Sequence, residues 1–364
     1  MSSYRLLVVL AVSCAGHSPK VTDASSTVYV RSDTDATTII SPTVKVAGSL
    51  DKATLGATYT VDAWTGASVD VVTAATKAIH EKRNEVDVAL GYAGSTTTVS
   101  ANYRFSYEPD YTSHGLTLGL RQELAGKNTT LSLDALGSDD RVGRSGDPNF
   151  TLPVRTVGGR LILAQVIDRN TIAELGAQTT LVSGYQASPY RFVAIGDVGT
   201  CVSNAPFCIP EQVPDERLRT AITARGRRAL GRTLSLGLEY RFYFDDWAVR
   251  SHAVEPDVAW RLTDTQTVTM RYRYATQSEA SFYRPRYFDL AMTSGYVTRD
   301  RKLSALVTNE LGLQYLHRIE NEDGDRVITW GLRTTLSRVD YLAYVGLDHV
   351  WAIDVTGLVG VELP

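Results

Sequence analysis

No stretch of this chain is apolar for long enough to cross a bilayer as a helix: the run LLVVLAV at 6–12 is soon interrupted, and a membrane helix needs roughly 18 such residues or more. Lysine is scarce, supplying 7 of the 37 basic residues against 30 arginines. The formal net charge is only -3, which excludes a surface built for polyanions, so no nucleic-acid partner is expected. Cysteine is nearly absent. Cys201 and Cys208 share the segment GTCVSNAPFCIP, and Cys14 stands alone. The pair has no histidine or third cysteine beside it, which excludes a metal site there; a disulfide is expected in an oxidising compartment and free thiols in a reducing one.

Helical periodicity is weak throughout, and the best candidate, TAATKAIHEKR at 73–83, is assigned to a loop. Signatures of hydrolases, zinc peptidases and phosphate loops are missing. Ser251 and His252 follow Asp245 and Asp246 closely, but adjacent strand residues point to opposite faces, a poor arrangement for a nucleophile and its base. His80, His114, His317 and His349 have no ligating neighbours in the sequence. Asp139, Asp140, Asp147, Asp245 and Asp246 do not form a calcium-loop pattern and read as turn residues. No enzyme, cofactor or metal is therefore expected.

What the chain has in abundance is alternation. In LSLGLEYRFYF at 234–244, Leu234, Leu236, Leu238, Tyr240, Phe242 and Phe244 share one parity, opposed by Ser235, Gly237, Glu239, Arg241 and Tyr243. The same device recurs from Val86 to Tyr92, Val99 to Tyr107, Leu116 to Leu120, Leu131 to Ala135, Val268 to Tyr274 and Ile328 to Leu332. Period two with one apolar face means half-buried strands. Sixteen are expected, at 24–32, 38–50, 53–63, 84–94, 96–108, 112–124, 127–138, 159–169, 171–185, 215–229, 232–244, 248–262, 265–278, 301–317, 326–337 and within 340–363, with 14 or 18 as alternatives. Pro256 cannot donate to a ladder and predicts a bulge or strand start.

Short polar turns alternate with longer connections at 64–83, 108–114, 139–158, 185–214 and 279–300. Loop lengths sorted by strand end are the mark of a meandering transmembrane barrel, not of a soluble sandwich. Arg5 followed by the apolar run and small residues makes 1–18 an expected export segment, with lipidation of Cys14 left open. The reading is an all-β chain: a transmembrane antiparallel meander β-barrel, a single domain over 24–364, in the outer membrane of a Gram-negative bacterium.

The runs VRSDTDATTIISPTVKV, EKRNEVDVALGY, FSYEPDYTSHGLTLGL, NTTLSLDALGSDD, YRFYFDDWAVRSHAVEPDVAWRL and RYRYATQSEASFYRPRYF, spread over 24–318, resemble a bacterial family defined as a domain of unknown function and thought to form outer-membrane β-barrels. The resemblance implies fold and location and brings no catalytic or binding residues with it.

Candidate lumen residues follow from parity: Arg104, Arg121, Arg217, Arg219, Arg225, Arg227, Glu239, Arg241, Asp257, Arg261, Arg271 and Arg273. Glu239, Glu255 and Asp257 are the acids expected to face them. Such a lining suits either a diffusion channel for small polar or anionic solutes or an ionic network filling an occluded barrel that serves as scaffold, adhesion or partner-binding component. The aromatic and basic segment SFYRPRYF at 281–288 is expected to stack a sugar, cap the pore or join an interfacial belt. Expected partners are membrane lipid and lipopolysaccharide, together with periplasmic or surface envelope proteins.

Overall fold

The structure is a computed structural model that describes residues 20–66, 79–196, 201, 207–293, 295–321 and 326–363. The expected export segment and Cys14 lie outside the described residues, as do 67–78, which hold most of the segment at 73–83. The remainder of that segment is strand, not loop, because it opens β4.

Nine strands come first: β1 (Lys20–Asp33), β2 (Thr37–Leu50), β3 (Ala53–Gly66), β4 (Ile79–Ala93), β5 (Thr97–Glu108), β6 (Tyr111–Leu124), β7 (Thr129–Arg144), β8 (Asp147–Asp168) and β9 (Thr171–Gly184). A small ribbon of β10 (Phe192–Ala194) and β11 (Cys208–Pro210) follows. Then come β12 (Glu216–Leu230), β13 (Leu234–Asp245), β14 (Arg250–Arg261), β15 (Gln266–Gln277), β16 (Leu306–Glu320), β17 (Val327–Tyr341) and β18 (His349–Glu362). Each barrel strand pairs antiparallel with the next, β9 pairs with β12, and β18 returns to β1 to close a sixteen-stranded barrel. No α-helix occurs among the described residues.

The two faces of the wall follow from the pairing register. Leu238, Met270, Leu313 and Leu175 are 55–59 % exposed although they sit mid-strand, and comparable exposed apolar groups run right round the barrel. Among the described residues no second sheet covers them. The opposite parity carries the charges, so the wall is a single layer with hydrocarbon outside and a polar lumen inside.

Loop lengths sort by end, with two corrections. The end that carries Lys20 and Glu362 has only short connections, such as 51–52, 169–170 and 231–233, whereas the other end has 185–215 and 278–305. In place of a connection at 108–114, only the tight turn 109–110 lies between β5 and β6, and 139–158 are not a loop: β7 and β8 continue as a long hairpin turning at 145–146. Apolar alternation stops where a strand leaves the membrane, so the sequence pattern underestimates strands that continue into water. Asp139 and Asp140 are accordingly strand residues, on the outward and inward faces, and not turn formers. At the end of β9, Gly184 adopts φ +112, and a Cβ there would sit 2.2 Å from the Pro153 carbonyl oxygen.

Pro256 also departs from expectation. It lies inside β14 with no register shift. Val254 pairs with Tyr274 and Asp257 with Arg271, so the proline falls at a gap in that ladder where no pair forms.

An arginine placed at Leu238 must face hydrocarbon, and Leu238→Arg is expected to destabilise the barrel by about 2–4 kcal/mol, while Thr117→Arg on the lumen face changes stability by less than about 1 kcal/mol. Denaturant unfolding in lipid vesicles measures both; equal losses would contradict the assignment of faces.

Candidate functional site: the lumen and its outer cap

All twelve parity-selected lumen residues fall on the inward face in the observed register. They do not form one set. Six of them make a belt of cross-strand pairs: Arg225–Glu239 at 2.6 Å, Arg227–Asp257 at 2.6 Å and Arg271–Glu255 at 3.3 Å, with Arg273 reaching Glu255 at 3.8 Å and Glu310 at 3.0 Å. Arg225 also approaches Glu174 at 3.6 Å. The Arg227–Asp257 pair reaches over β13, from β12 to β14, and Gly237 makes that possible: a Cβ on it would lie 2.0 Å from the Asp257 carboxylate. Arg217 pairs with Asp245 at 2.5 Å and stacks its guanidinium on Trp247 at 4.2 Å. Arg121 lies 3.9 Å from Glu123, and Arg104 stands across the strand pair from Asp87.

Arg219, Arg241 and Arg261 are different. Among the described residues none of them has a carboxylate within ion-pairing distance. Arg219 and Arg241 line one cavity of about 350 Å³ with Gln178, Thr180 and Tyr243. The wall of β4 to β7 bears the complementary excess. There Glu85, Asp87, Glu108 and Asp140 line a cavity of about 410 Å³ together with Arg83 and Arg104. Arg83 is committed to Asp62, and Asp140 accepts hydroxyls from Tyr111 and Ser113, both at 2.7 Å.

The outer mouth carries a cap made from the two long loops. Val193, Ile195, Tyr287 and Val297, all at most 3 % exposed, form its centre. Backbone bonds from Gly196 to Tyr287 at 2.7 Å and between Gln212 and Val297 at 2.8 and 3.0 Å join the loops. A second cluster, around Trp247, Phe282 and Tyr283, seats the cap on β13 and its turn. The segment at 281–288 thus supplies core residues, with Phe282, Tyr283 and Tyr287 buried. Cys201 and Cys208 are joined by a disulfide beside the β10–β11 ribbon.

Buried charge organises the cap. Glu211 accepts from the Ser188 amide at 2.7 Å, from Arg191 at 3.0 Å and from the Thr298 hydroxyl at 2.5 Å, and Arg191 also holds Asp300 at 3.1 Å. On one side of the mouth the Tyr190 hydroxyl donates to Asp110 in the β5–β6 turn, and Arg144 donates to the Pro189 carbonyl at 2.9 Å. Four strands on from the β5–β6 turn, Arg301 pairs with Asp35 in the β1–β2 turn, and opposite the β7–β8 hairpin Tyr283 donates to the Ala343 carbonyl at 3.2 Å in the β17–β18 turn. The cap therefore spans the barrel. Parity named twelve inward residues and left out Arg83, Glu85, Asp87, Glu108 and Asp140 of the acidic wall; loops have no period, and nothing in the sequence links Glu211 to Thr298 or Arg301 to Asp35.

Burial first, and then the Asp110 carboxylate it bonds, push the Tyr190 phenol up to about 12, from an ordinary value of about 10. The bonded form keeps its proton more tightly than a released loop would. The tether is therefore complete below pH of about 10 and is lost as pH rises toward about 12. Tyr190→Phe is expected to remove one late-titrating phenol from the tyrosinate absorbance curve; an unchanged curve would contradict the tether.

Three comparisons bear on this geometry. A family model described as "Protein of unknown function (DUF3570)" matches residues 75–158 and 151–328. No curated protein matches the sequence. Among solved structures, a bacterial polysaccharide outer membrane secretin is similar at 9 % identity and TM-score 0.50, covering 92 % of this chain and 97 % of that one. A loop-deletion mutant of OmpT, an outer membrane protein of Vibrio cholerae, is similar at 9 % identity and TM-score 0.46, with 94 % and 99 % covered. The siderophore receptor PirA from Pseudomonas aeruginosa is similar at 10 % identity and TM-score 0.45, with 94 % and 81 % covered. The likeness is one of fold.

Proposed function

Because this chain belongs to the DUF3570 family, whose description names no activity, we propose its function from the lumen itself: a passive channel for small polar solutes, anions included, in the outer membrane of a Gram-negative bacterium. The observation that carries the reading is the sorting of unneutralised charge. Arg219 and Arg241 stand on β12 and β13 with no carboxylate within ion-pairing distance among the described residues, and the acidic excess of Glu85, Asp87 and Glu108 lies on the arc of β4 and β5, across the lumen. Charge that only filled a closed barrel would be paired throughout, as the Arg225 to Glu310 belt is. Separated excesses set a field across the path, which orients dipolar solutes and gives anions a track along the arginine wall. The outward apolar band meets lipid, with lipopolysaccharide in the outer leaflet, and the mechanism contains no catalytic step.

A second reading has its own support. The cap is tied to both sides of the mouth, at the β7–β8 hairpin and at the β17–β18 turn, which suits an occluded barrel acting as a scaffold that binds periplasmic or surface envelope proteins. Planar-bilayer recording separates the two. Folded, heat-modifiable protein is expected to give discrete conductance steps, and Arg219→Gln combined with Arg241→Gln is expected to lower the anion-to-cation permeability ratio by about twofold. An unchanged reversal potential would refute the arginine track. Absence of conductance from folded protein would favour the scaffold.

A further inference from the structure

The outward face of the wall repeats one small arrangement four times. Tyr59 donates its hydroxyl to Asn84 Oδ1 at 3.0 Å and Tyr272 to Asn309 Oδ1 at 2.7 Å. The Tyr103 hydroxyl meets His114 Nδ1 at 2.8 Å, and that of Tyr240 meets His252 Nδ1 at 2.7 Å. All four tyrosines are 41–46 % exposed on the lipid-facing parity. In every case the partner stands on the next strand, two residues nearer the outer end than the residue opposite the tyrosine, which is Val86, Leu116, Val254 or Leu311. From Tyr59 to Tyr103, and again from Tyr240 to Tyr272, the arrangement steps two residues inward over two strands. Strand tilt requires such a step if the height is to stay constant. The arcs that carry it, β3 to β6 and β13 to β16, lie eight strands apart in the ring of sixteen.

Each bond leaves the same kind of group facing out. Among the described residues the phenol protons of Tyr103 and Tyr240 have no other acceptor, so they go to Nδ1, and each imidazole carries its own proton on Nε2. An asparagine whose Oδ1 is taken presents its Nδ2. Phe105 and Phe242 pack against the two imidazoles, with centroids 5.0 and 4.8 Å away, which sets the four N–H donors within an interfacial aromatic belt. One step farther out there is positive charge. Lys82 and Arg250 lie two residues outward of Asn84 and His252 on the same strands, and Arg141 stands opposite Thr112, the same step beyond His114. All three are exposed, and none has a carboxylate within ion-pairing distance among the described residues. Asp139, opposite His114, is held by Arg155 at 3.4 Å. Near Arg250, Asp246 accepts the Leu218 amide of β12 at 3.0 Å, and Glu279 stays beyond ion-pairing distance. At the fourth position Arg338 stands opposite Asn309 and is paired with Asp340 at 2.6 Å.

Two residues along a strand span about 7 Å, or roughly 5 Å of height at the tilt of a barrel wall. That is the order of donors and cations that a phosphorylated lipid needs, with acyl carbonyls at the lower level and phosphates at the upper. We propose that these positions bind lipid A, the phosphorylated and acylated sugar anchor of lipopolysaccharide. Its phosphates sit on Lys82, Arg141 and Arg250, and its acyl-linkage carbonyls accept from Asn84, His114, His252 and Asn309. The tyrosines position the donors. The inference deepens the outer-membrane placement proposed above and rests on it, and it is independent of whether the lumen conducts.

Native mass spectrometry of the folded full chain, released from detergent with defined lipids present, tests it with lipid A, dephosphorylated lipid A and phosphatidylglycerol. Lipid A is expected to be retained over each of the others by about fivefold or more. Lys82→Gln, Arg141→Gln and Arg250→Gln together should abolish that preference. His114→Leu with His252→Leu should lower lipid A retention by about fivefold, whereas His114→Asn with His252→Asn should keep it, because asparagine already serves at the other two positions. Heat-modifiable migration confirms that each variant is folded. Equal retention of lipid A and either other lipid, or retention unmoved by the triple variant or by leucine at both histidines, would overturn the sites. A chain that fractionates with the outer membrane and shows no preference refutes this inference alone; one that fractionates elsewhere refutes the placement.

Discussion

Backbone hydrogen bonding in hydrocarbon is the constraint on which everything else here depends. An amide or carbonyl facing lipid has no water to pair with, so the sheet cannot have an edge, and β18 must return to β1. Closure brings a second consequence. A one-layer wall has no apolar interior to share between sheets, and each residue is committed to lipid or lumen by its parity alone. This is why Leu238 and Arg241, three apart on β13, live in opposite solvents.

That constraint also explains what could be read from the sequence. Strand number, strand order and the face of every lumen arginine follow from period two, because lipid enforces it at each position. Where lipid ends, so does the signal. The continuation of β7 and β8 past the membrane carries Asp139, Asp140 and Arg155 in place of alternating leucines, and it looked like loop. Pro256 predicts a bulge or strand start, but the register runs through it unshifted, at a gap in the β14–β15 ladder where no pair forms. The cap was invisible for a stronger reason. Its contacts join residues far apart in the chain, such as Asp35 with Arg301 and Glu211 with Thr298, and no local pattern encodes them.

Arginine, not lysine, dominates the lumen for a geometric reason. Strands in a sheet stand about 4.8 Å apart, and a guanidinium fork can bridge to the next strand but one when the residue between is small. Arg227 does this over Gly237 to reach Asp257. Each such bond is partly exposed to lumen water and contributes modestly. Their joint effect is to immobilise one arc of the lining, and it is against that fixed arc that the unpaired Arg219 and Arg241 stand out.

The cap obeys the opposite chemistry to the wall beneath it. The inward face of the barrel is polar and offers loops little apolar surface to pack against, so the loops carry a core of their own: Val193, Ile195, Tyr287 and Val297 within the cap, and Trp247 and Phe282 where it meets β13. A unit whose cohesion is internal can be positioned by few bonds, and Arg144–Pro189 at the β7–β8 hairpin and Tyr283–Ala343 at the β17–β18 turn do so at opposite sides of the mouth. Such a unit rests over the lumen without filling it. In the space left between an apolar plug and a polar wall, Arg217 is held by Asp245, while Arg219 has no carboxylate within ion-pairing distance among the described residues.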